Sequence, residues 1–284
     1  MKVLICGAYG QLGRELLRFT PPFADVSAFG RKELDVADYN QVLDAVNEIK
    51  PDAIINVAAY TAVDLAEQEE DHAYLVNANG SRNLAVAAEQ VGAKYCYVST
   101  DYVFDGLSTM PYREYDMTSP MNVYGRSKRA GEILAQTLTR KYFIVRTSWL
   151  YGMHGSNFVK TMIRLGREGG TVRVVNDQTG SPTYAVHLAK FIWKLVATDR
   201  YGIYHATNSG CCTWYEFARA IFEECELSAD VEPCSTKDFP RPAPRPAYSV
   251  LDHMQIRING FPDLPHWRAG LREFIQELKD NALL

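Results

Sequence analysis

A short apolar run, Lys2-Val3-Leu4-Ile5-Cys6, leads directly into Gly7-Ala8-Tyr9-Gly10-Gln11-Leu12-Gly13 and then into a stretch with Leu12, Leu16 and Leu17 at helical spacing. Such a run fits a parallel strand buried on both faces. Gly7 can make the tight turn that ends it, Gly10 lets a backbone approach a pyrophosphate, and Gly13 lets the helix pack closely on the strand. The start of the helix offers unpaired N–H groups and a partial positive charge to phosphates. The segment therefore predicts a dinucleotide-binding turn that uses Gly7, Tyr9, Gly10, Gln11, Leu12 and Gly13. It also demands a layered fold, because a strand buried on both faces needs helices on either side.

Further apolar runs at 25–29, 53–57, 94–98 and 142–146 alternate with helical patterns near 11–19, 38–49, 72–91 and 124–139. This order predicts an α/β fold, a Rossmann-type doubly wound parallel sheet with right-handed crossovers. After residue 150 the rhythm loosens: helices near 156–168, 184–197, 214–225 and 266–279, strands near 171–175 and 203–206, and a Pro-rich loop at 240–246. The expected division is a dinucleotide-binding domain over 1–150, with parts of 171–200 returning to it, and a smaller α/β substrate-binding lobe over 151–284. Net charge is −4, which argues against a nucleic-acid surface. No apolar run approaches the roughly 20 residues that span a bilayer. With no signal peptide, and six cysteines without metal spacing, a cytoplasmic protein with reduced thiols is expected.

Ligands of such sheets bind beyond the carboxyl ends of the strands. There the chain carries Arg31, Ala58-Ala59-Tyr60-Thr61 and Ser99-Thr100-Asp101. The second strand ends at Phe29-Gly30-Arg31-Lys32, where an NAD site would place a carboxylate. A guanidinium matches a 2′-phosphate, so Arg31 points to NADP(H), with NAD(H) as a second possibility. Tyr124-Gly125-Arg126-Ser127-Lys128 places a phenol and an ammonium on one helical face. A neighbouring ammonium favours phenol ionisation and makes Tyr124 a stronger proton donor. Trp149, after the fifth strand, could stack a pyranose, and Arg245, in the Pro-stiffened loop, could clamp a pyrophosphate.

Several segments together resemble the extended short-chain dehydrogenases/reductases, and among them the RmlD-like dTDP-4-dehydrorhamnose reductases. They are Gly10-Gln11-Leu12-Gly13, Ala58-Ala59-Tyr60-Thr61-Ala62-Val63-Asp64, Ser99-Thr100-Asp101-Tyr102-Val103-Phe104-Asp105-Gly106, Asn122-Val123-Tyr124-Gly125, Arg146-Thr147-Ser148-Trp149, Asn157-Phe158, Gly180-Ser181-Pro182-Thr183 and Arg245-Pro246. The resemblance runs nearly end to end. It implies NADPH-dependent reduction of the C4 ketone of dTDP-4-dehydro-L-rhamnose to dTDP-L-rhamnose, for surface polysaccharides. Tyr124 would donate the proton, Lys128 would tune it and hold the nicotinamide ribose, and Thr100 would position the keto oxygen. Asp35-Val36 would lie beside the adenine, and Ala58, Ala59, Tyr60 and Ser99 along the cofactor. Thr61, Thr100, Asp101, Trp149, Asn157 and Arg245 would meet the dTDP-sugar. Related dehydratases carry Thr-Asp-Glu where this chain has Thr100-Asp101-Tyr102, so elimination chemistry is not expected. Some members join as dimers through Mg²⁺ and glutamates. Here Glu15 is present but Val186 stands where they have an acid, so no structural metal is expected, and the chain is read as a monomer or homodimer. Two alternatives remain: a reductase of another dTDP-4-keto-6-deoxysugar, and a partner-binding subunit similar to the regulatory β subunit of methionine adenosyltransferase.

Overall fold

The five runs expected as strands lie side by side in parallel: β1 (Lys2–Cys6), β2 (Asp25–Phe29), β3 (Ala53–Asn56), β4 (Lys94–Thr100) and β5 (Tyr142–Thr147). The computed structural model describes residues 1–284. A sixth strand, β6 (Gly202–His205), pairs in parallel with β5, so the sheet runs β6-β5-β4-β3-β1-β2. The chain thus returns to the main sheet after residue 200. Strand order reverses at β1, which has β2 on one side and β3 on the other. The crevice beyond the carboxyl ends of β1 and β3 is therefore the topological switch point.

Both faces of the sheet are buried, and successive residues alternate between them. Val3, Ile5, Ile55, Phe143 and Val145 pack against Leu12 and Leu16 of α1 (Gln11–Arg18), and against Leu188, Ile192 and Val196 of a later helix. Leu4, Cys6, Ile54, Tyr95, Tyr97 and Ile144 face the other way. They meet Val42 and Val46 of α2 (Tyr39–Ile49), Leu84 and Ala88 of α3 (Gly80–Val91) and Ala135 of α4 (Val123–Leu138). The lobe has its own core, in which α5 (Phe158–Glu168), α7 (Trp214–Glu224) and α8 (Trp267–Asp280) pack around the strand Thr171–Val175. That strand pairs in parallel with Asp230–Cys234 and stays in the lobe. The helix α6 (Ala185–Val196) joins the sheet and supplies the late residues of the first core. The helical stretch expected over 72–91 is interrupted by a π-helical turn, Leu75–Asn79. Single π turns of this kind are frequent at functional sites.

One buried ion pair ties three of these elements together. Arg146 on β5 donates through Nε and Nη2 to Glu132 Oε1 and Oε2 on α4, at 2.9 and 2.8 Å. Its Nη1 reaches the Glu114 carbonyl at 3.3 Å and His205 Nε2, on β6, at 3.2 Å. Burial and the Arg146 charge hold His205 neutral. Its Nδ1 lies 3.1 Å from the carbonyls of Tyr112 and Asp252, which places the proton there. Arg146 is 1 % exposed and has no other carboxylate partner, so removing Glu132 leaves a buried, uncompensated charge. Glu132→Leu is expected to cost about 3–5 kcal/mol in urea unfolding. Adding Arg146→Met should recover most of that loss. A single-variant cost below about 1 kcal/mol would show that the pair contributes little.

Candidate active site

At the end of β1 the chain turns through Gly7, whose φ of +80° is left-handed. A Cβ there would sit 2.5 Å from Ala58 N, so only glycine lets this turn lie against the end of β3. Gly10 caps α1 without any side-chain hydrogen bond, which leaves the first-turn N–H groups available. Beyond these turns lies a 460 Å³ cleft lined by Gly7, Tyr9 and Gly10, by Arg31, Lys32, Asp35 and Val36 after β2, and by Ala58, Ala59 and Tyr60 after β3. Leu12 belongs to the core, Gly13 packs against the carbonyls of Gly7 and Ala8, and Gln11 turns toward the lobe through Leu150 O. Sequence reasoning missed Lys32, although it adjoins Arg31. It also missed His72 and Val76, which line the cleft from the helical stretch before α3.

Two buried asparagines hold the β3 loop in place. Asn56 Oδ1 accepts from Ala58 N, and Asn77 brackets Tyr60 by accepting from its N–H and donating to its carbonyl. Asn77 also donates to Ser127 Oγ of α4 at 2.9 Å, which links the cleft to the helix that carries Tyr124. Its carbonyl accepts from Tyr97. The π turn carries Asn77 into this buried position, and no sequence pattern announces that. An uncapped helix start, two cations after β2 and a buried Ser99 hydroxyl without a partner are a donor set that fits a phosphorylated dinucleotide.

The catalytic candidates meet where α4 begins. Asn122 caps this helix by accepting from Gly125 N at 2.8 Å, while its amide donates to Pro244 O. Glu67 accepts from Val123 N at 2.8 Å, so this acid sits on the N-terminus of another helix. A Cβ on Gly125 would lie 2.2 Å from Tyr102 O, so glycine brings the first turn of α4 against the turn that follows β4. Tyr124 thereby packs edge-on to Tyr102, with ring centroids 5.7 Å apart, and faces the Thr100 hydroxyl.

The electrostatics depart from the sequence expectation. Burial pushes the Tyr124 phenol up to about 12, and the group that favours its ionised form is Thr100, not Lys128. Lys128 is buried, donates to Val98 O at 2.6 Å, and places Nζ 4.0 Å from the centre of the Tyr97 ring. Burial pulls its ammonium down to about 7, and Glu132, one turn along α4, partly opposes that. Burial also pushes the Asp101 carboxyl up to about 6.

The residues expected to meet a substrate are not all free to do so. Thr61 is exposed at the end of the β3 loop. Asp101 is buried beside Thr100. Trp149, at a left-handed φ of +47°, stacks on Trp214 with ring centroids 3.5 Å apart and planes 8° apart, and it also packs against Gly180. Asn157 caps α5 by accepting from Lys160 N and donates to Gln11 Oε1 and Gly152 O, so its polar atoms are engaged within the fold. Arg245 is paired through both terminal nitrogens with Asp64, and Asp64 also accepts from Ala243 N. Its cation is thus tied to the helix that follows the β3 loop rather than standing open to a phosphate. Glu15 is fully buried, with Arg18 Nη1 3.6 Å and His154 Nε2 3.9 Å from its carboxylate, and burial favours the neutral form of His154.

The chain is similar over almost its whole length to proteins of known activity. A dTDP-4-dehydrorhamnose reductase of Streptomyces griseus is 47% identical over 292 residues, covering 98% of this chain and 94% of the relative. A dTDP-4-keto-6-deoxy-D-glucose reductase of Streptomyces niveus is 41% identical over 275 residues, covering 95% of each. The crystal structure of dTDP-4-dehydrorhamnose reductase from Bacillus anthracis in complex with NADP superposes with a TM-score of 0.96 at 50% identity, covering 97% of this chain and 99% of that one. The family described as the RmlD substrate binding domain matches residues 1–280, and the chain belongs to it.

Proposed function

We propose that the chain is an NADPH-dependent oxidoreductase that reduces the C4 ketone of dTDP-4-dehydro-L-rhamnose to dTDP-L-rhamnose. The observation that carries this reading is the junction at the carboxyl end of β4. Tyr124 of α4 faces Thr100 there, Lys128 of the same helix bonds Val98 O of β4, and Asn77 ties α4 to the dinucleotide cleft through Ser127 and Tyr60. When bound, the cofactor supplies the hydride. Tyr124 holds the proton that the ketone oxygen takes up, and Thr100 stabilises the phenolate that remains. Lys128 brings a cation to the same pocket, and a bound anionic cofactor raises its affinity for the proton. In this reading Lys128 holds the nicotinamide ribose, and Arg31 with Lys32 hold the 2′-phosphate.

No helix is long and apolar enough to cross a membrane, and all six cysteines are free thiols, which supports a cytoplasmic setting. A monomer or homodimer is the assembly we favour. The Streptomyces niveus relative supports a second reading, in which the sugar is another dTDP-4-keto-6-deoxyhexose. NADPH oxidation on the 4-keto sugar before and after epimerisation, with NMR of the product, separates the two. Turnover on the unepimerised sugar alone would reject the rhamnose assignment.

Tyr124→Phe should lower kcat by about 100-fold or more, the range of a lost general acid, while the Kd for NADPH changes less than about threefold. Retained turnover would remove Tyr124 from the mechanism. Arg31→Ala should raise the KM for NADPH by about tenfold or more and leave that for NADH nearly unchanged, as loss of a charged hydrogen bond implies. Equal effects on both cofactors would reject the 2′-phosphate role, and Arg31→Ala/Lys32→Ala shows how the two cations share it.

A further inference from the structure

A hydroxyl has one proton to give and two lone pairs to offer. At Thr100 most of that capacity is already committed. Oγ1 lies 3.0 Å from Asp101 Oδ1, and it accepts from Tyr102 N at 3.2 Å. The remaining direction faces the Tyr124 phenol. While Asp101 is ionised it can only accept, so it takes the Thr100 proton. Thr100 is then an acceptor toward Tyr124 and holds the phenol proton away from a ketone. A protonated Asp101 can instead donate to Oγ1. The Thr100 proton then turns to the Tyr124 oxygen, and the phenol proton is free for the substrate.

We infer that Asp101 is a positioning residue for ketone reduction: its neutral carboxyl sets the direction of the hydrogen bonds in the chain Asp101–Thr100–Tyr124 and resupplies the phenol with a proton. The inference rests on the reductase reading above. The step balances as follows. Hydride from the nicotinamide reaches the carbonyl carbon, and the resulting alkoxide takes the Tyr124 proton. The phenolate takes the Thr100 proton, and Thr100 takes the proton of Asp101. Asp101 is left ionised and regains a proton from solvent water between turnovers.

Three features of the site support this. Asp101 is 2 % exposed, and its second oxygen, Oδ2, is buried without a hydrogen-bond partner of regular geometry, although the Ser249 hydroxyl lies beside the carboxyl. The hydrogen bonds it receives from Ser249, Thr100 and the N–H groups of Asp101 and Tyr102 favour the ionised form, but the loss of water outweighs them and favours the neutral acid. The groups facing it from the packed elements are Thr100 and Tyr102 on its own turn, Tyr124 on α4 and Ser249 on the late loop. The nearby cation Arg245 contacts Tyr102 and is paired with Asp64. Burial moves the Asp101 carboxyl up into the range where it can exchange a proton near neutrality.

Asp101→Asn keeps the size of the side chain and removes the exchangeable proton. Wild-type kcat for reduction should fall as pH rises through the Asp101 titration. In Asp101→Asn that limb should be absent and kcat reduced about tenfold or more, with KM for the sugar changed less than about threefold. A raised KM with the limb intact, or kcat within twofold of wild type, would overturn the relay. Infrared difference spectra of the protein without substrate should show a protonated carboxyl band that disappears with rising pH in wild type and is missing in the variant. Absence of that band in wild type overturns the inference even if the sugar is misassigned. A wild type that turns over no keto-sugar while showing the band rejects the reductase reading and, with it, the catalytic use of the carboxyl.

Discussion

The depth and rotation of α4 depend on the ion pair between Glu132 and Arg146. Helix α4 carries Tyr124 and Lys128 in its first two turns, where Lys128 also bonds Val98 O of β4, and the rest of its packing on the sheet is apolar and weakly directional. A bidentate guanidinium–carboxylate contact has a fixed geometry. Because Arg146 also reaches His205 and the Glu114 carbonyl, the same side chain registers α4 against β5, the edge strand β6 and the 105–116 segment together. Asn122, Glu67 and Gly125 then fix the end of the helix where the phenol stands.

Much of this architecture is readable from the chain. Four of the five runs are largely apolar and buried on both faces, which sets them apart from helical patterns, while the run at 25–29 at the sheet edge is only half-buried. The glycine turn is readable because its residue types are dictated by backbone geometry and not by a partner. What escapes is whatever depends on contacts between distant segments. Gly202-Ile203-Tyr204-His205 is short, half polar and at an edge, and nothing local assigns it to the main sheet. Asn157 and Arg245 look like free polar groups in sequence, yet an N-cap and Asp64 claim them. Glu67 and Asn77 are the converse: unremarkable letters that hold the helix and the loop on which the site is built.

Burial also alters the chemistry that residue identity alone suggests. A Tyr–Lys pair read from spacing implies an ammonium lowering the affinity of a phenol for its proton. In the folded protein desolvation moves Tyr124 and Asp101 up and Lys128 down, each toward its uncharged form. The pocket carries little fixed charge of its own at the reacting end. Its cations stand at the far end of the cleft, at Arg31 and Lys32, where phosphates would anchor. In the proposed reading, binding by charge at the end of β2 is thus set apart from proton exchange at the end of β4.

The late arrival of β6 has a consequence for the protein during its synthesis. The first five strands and their helices can assemble once about half of the chain has emerged, but the outer edge of β5 then has no neighbour. Unpaired edges and exposed apolar surface are where nascent chains associate with one another. Arg146 on that edge strand is already paired with Glu132 of α4, and of its contacts only the one to His205 waits for the edge to close. Until residues 202–205 arrive, the backbone groups on that side of β5 stay unpaired. The side chain that locks α4 is therefore also one that receives the last strand of the sheet.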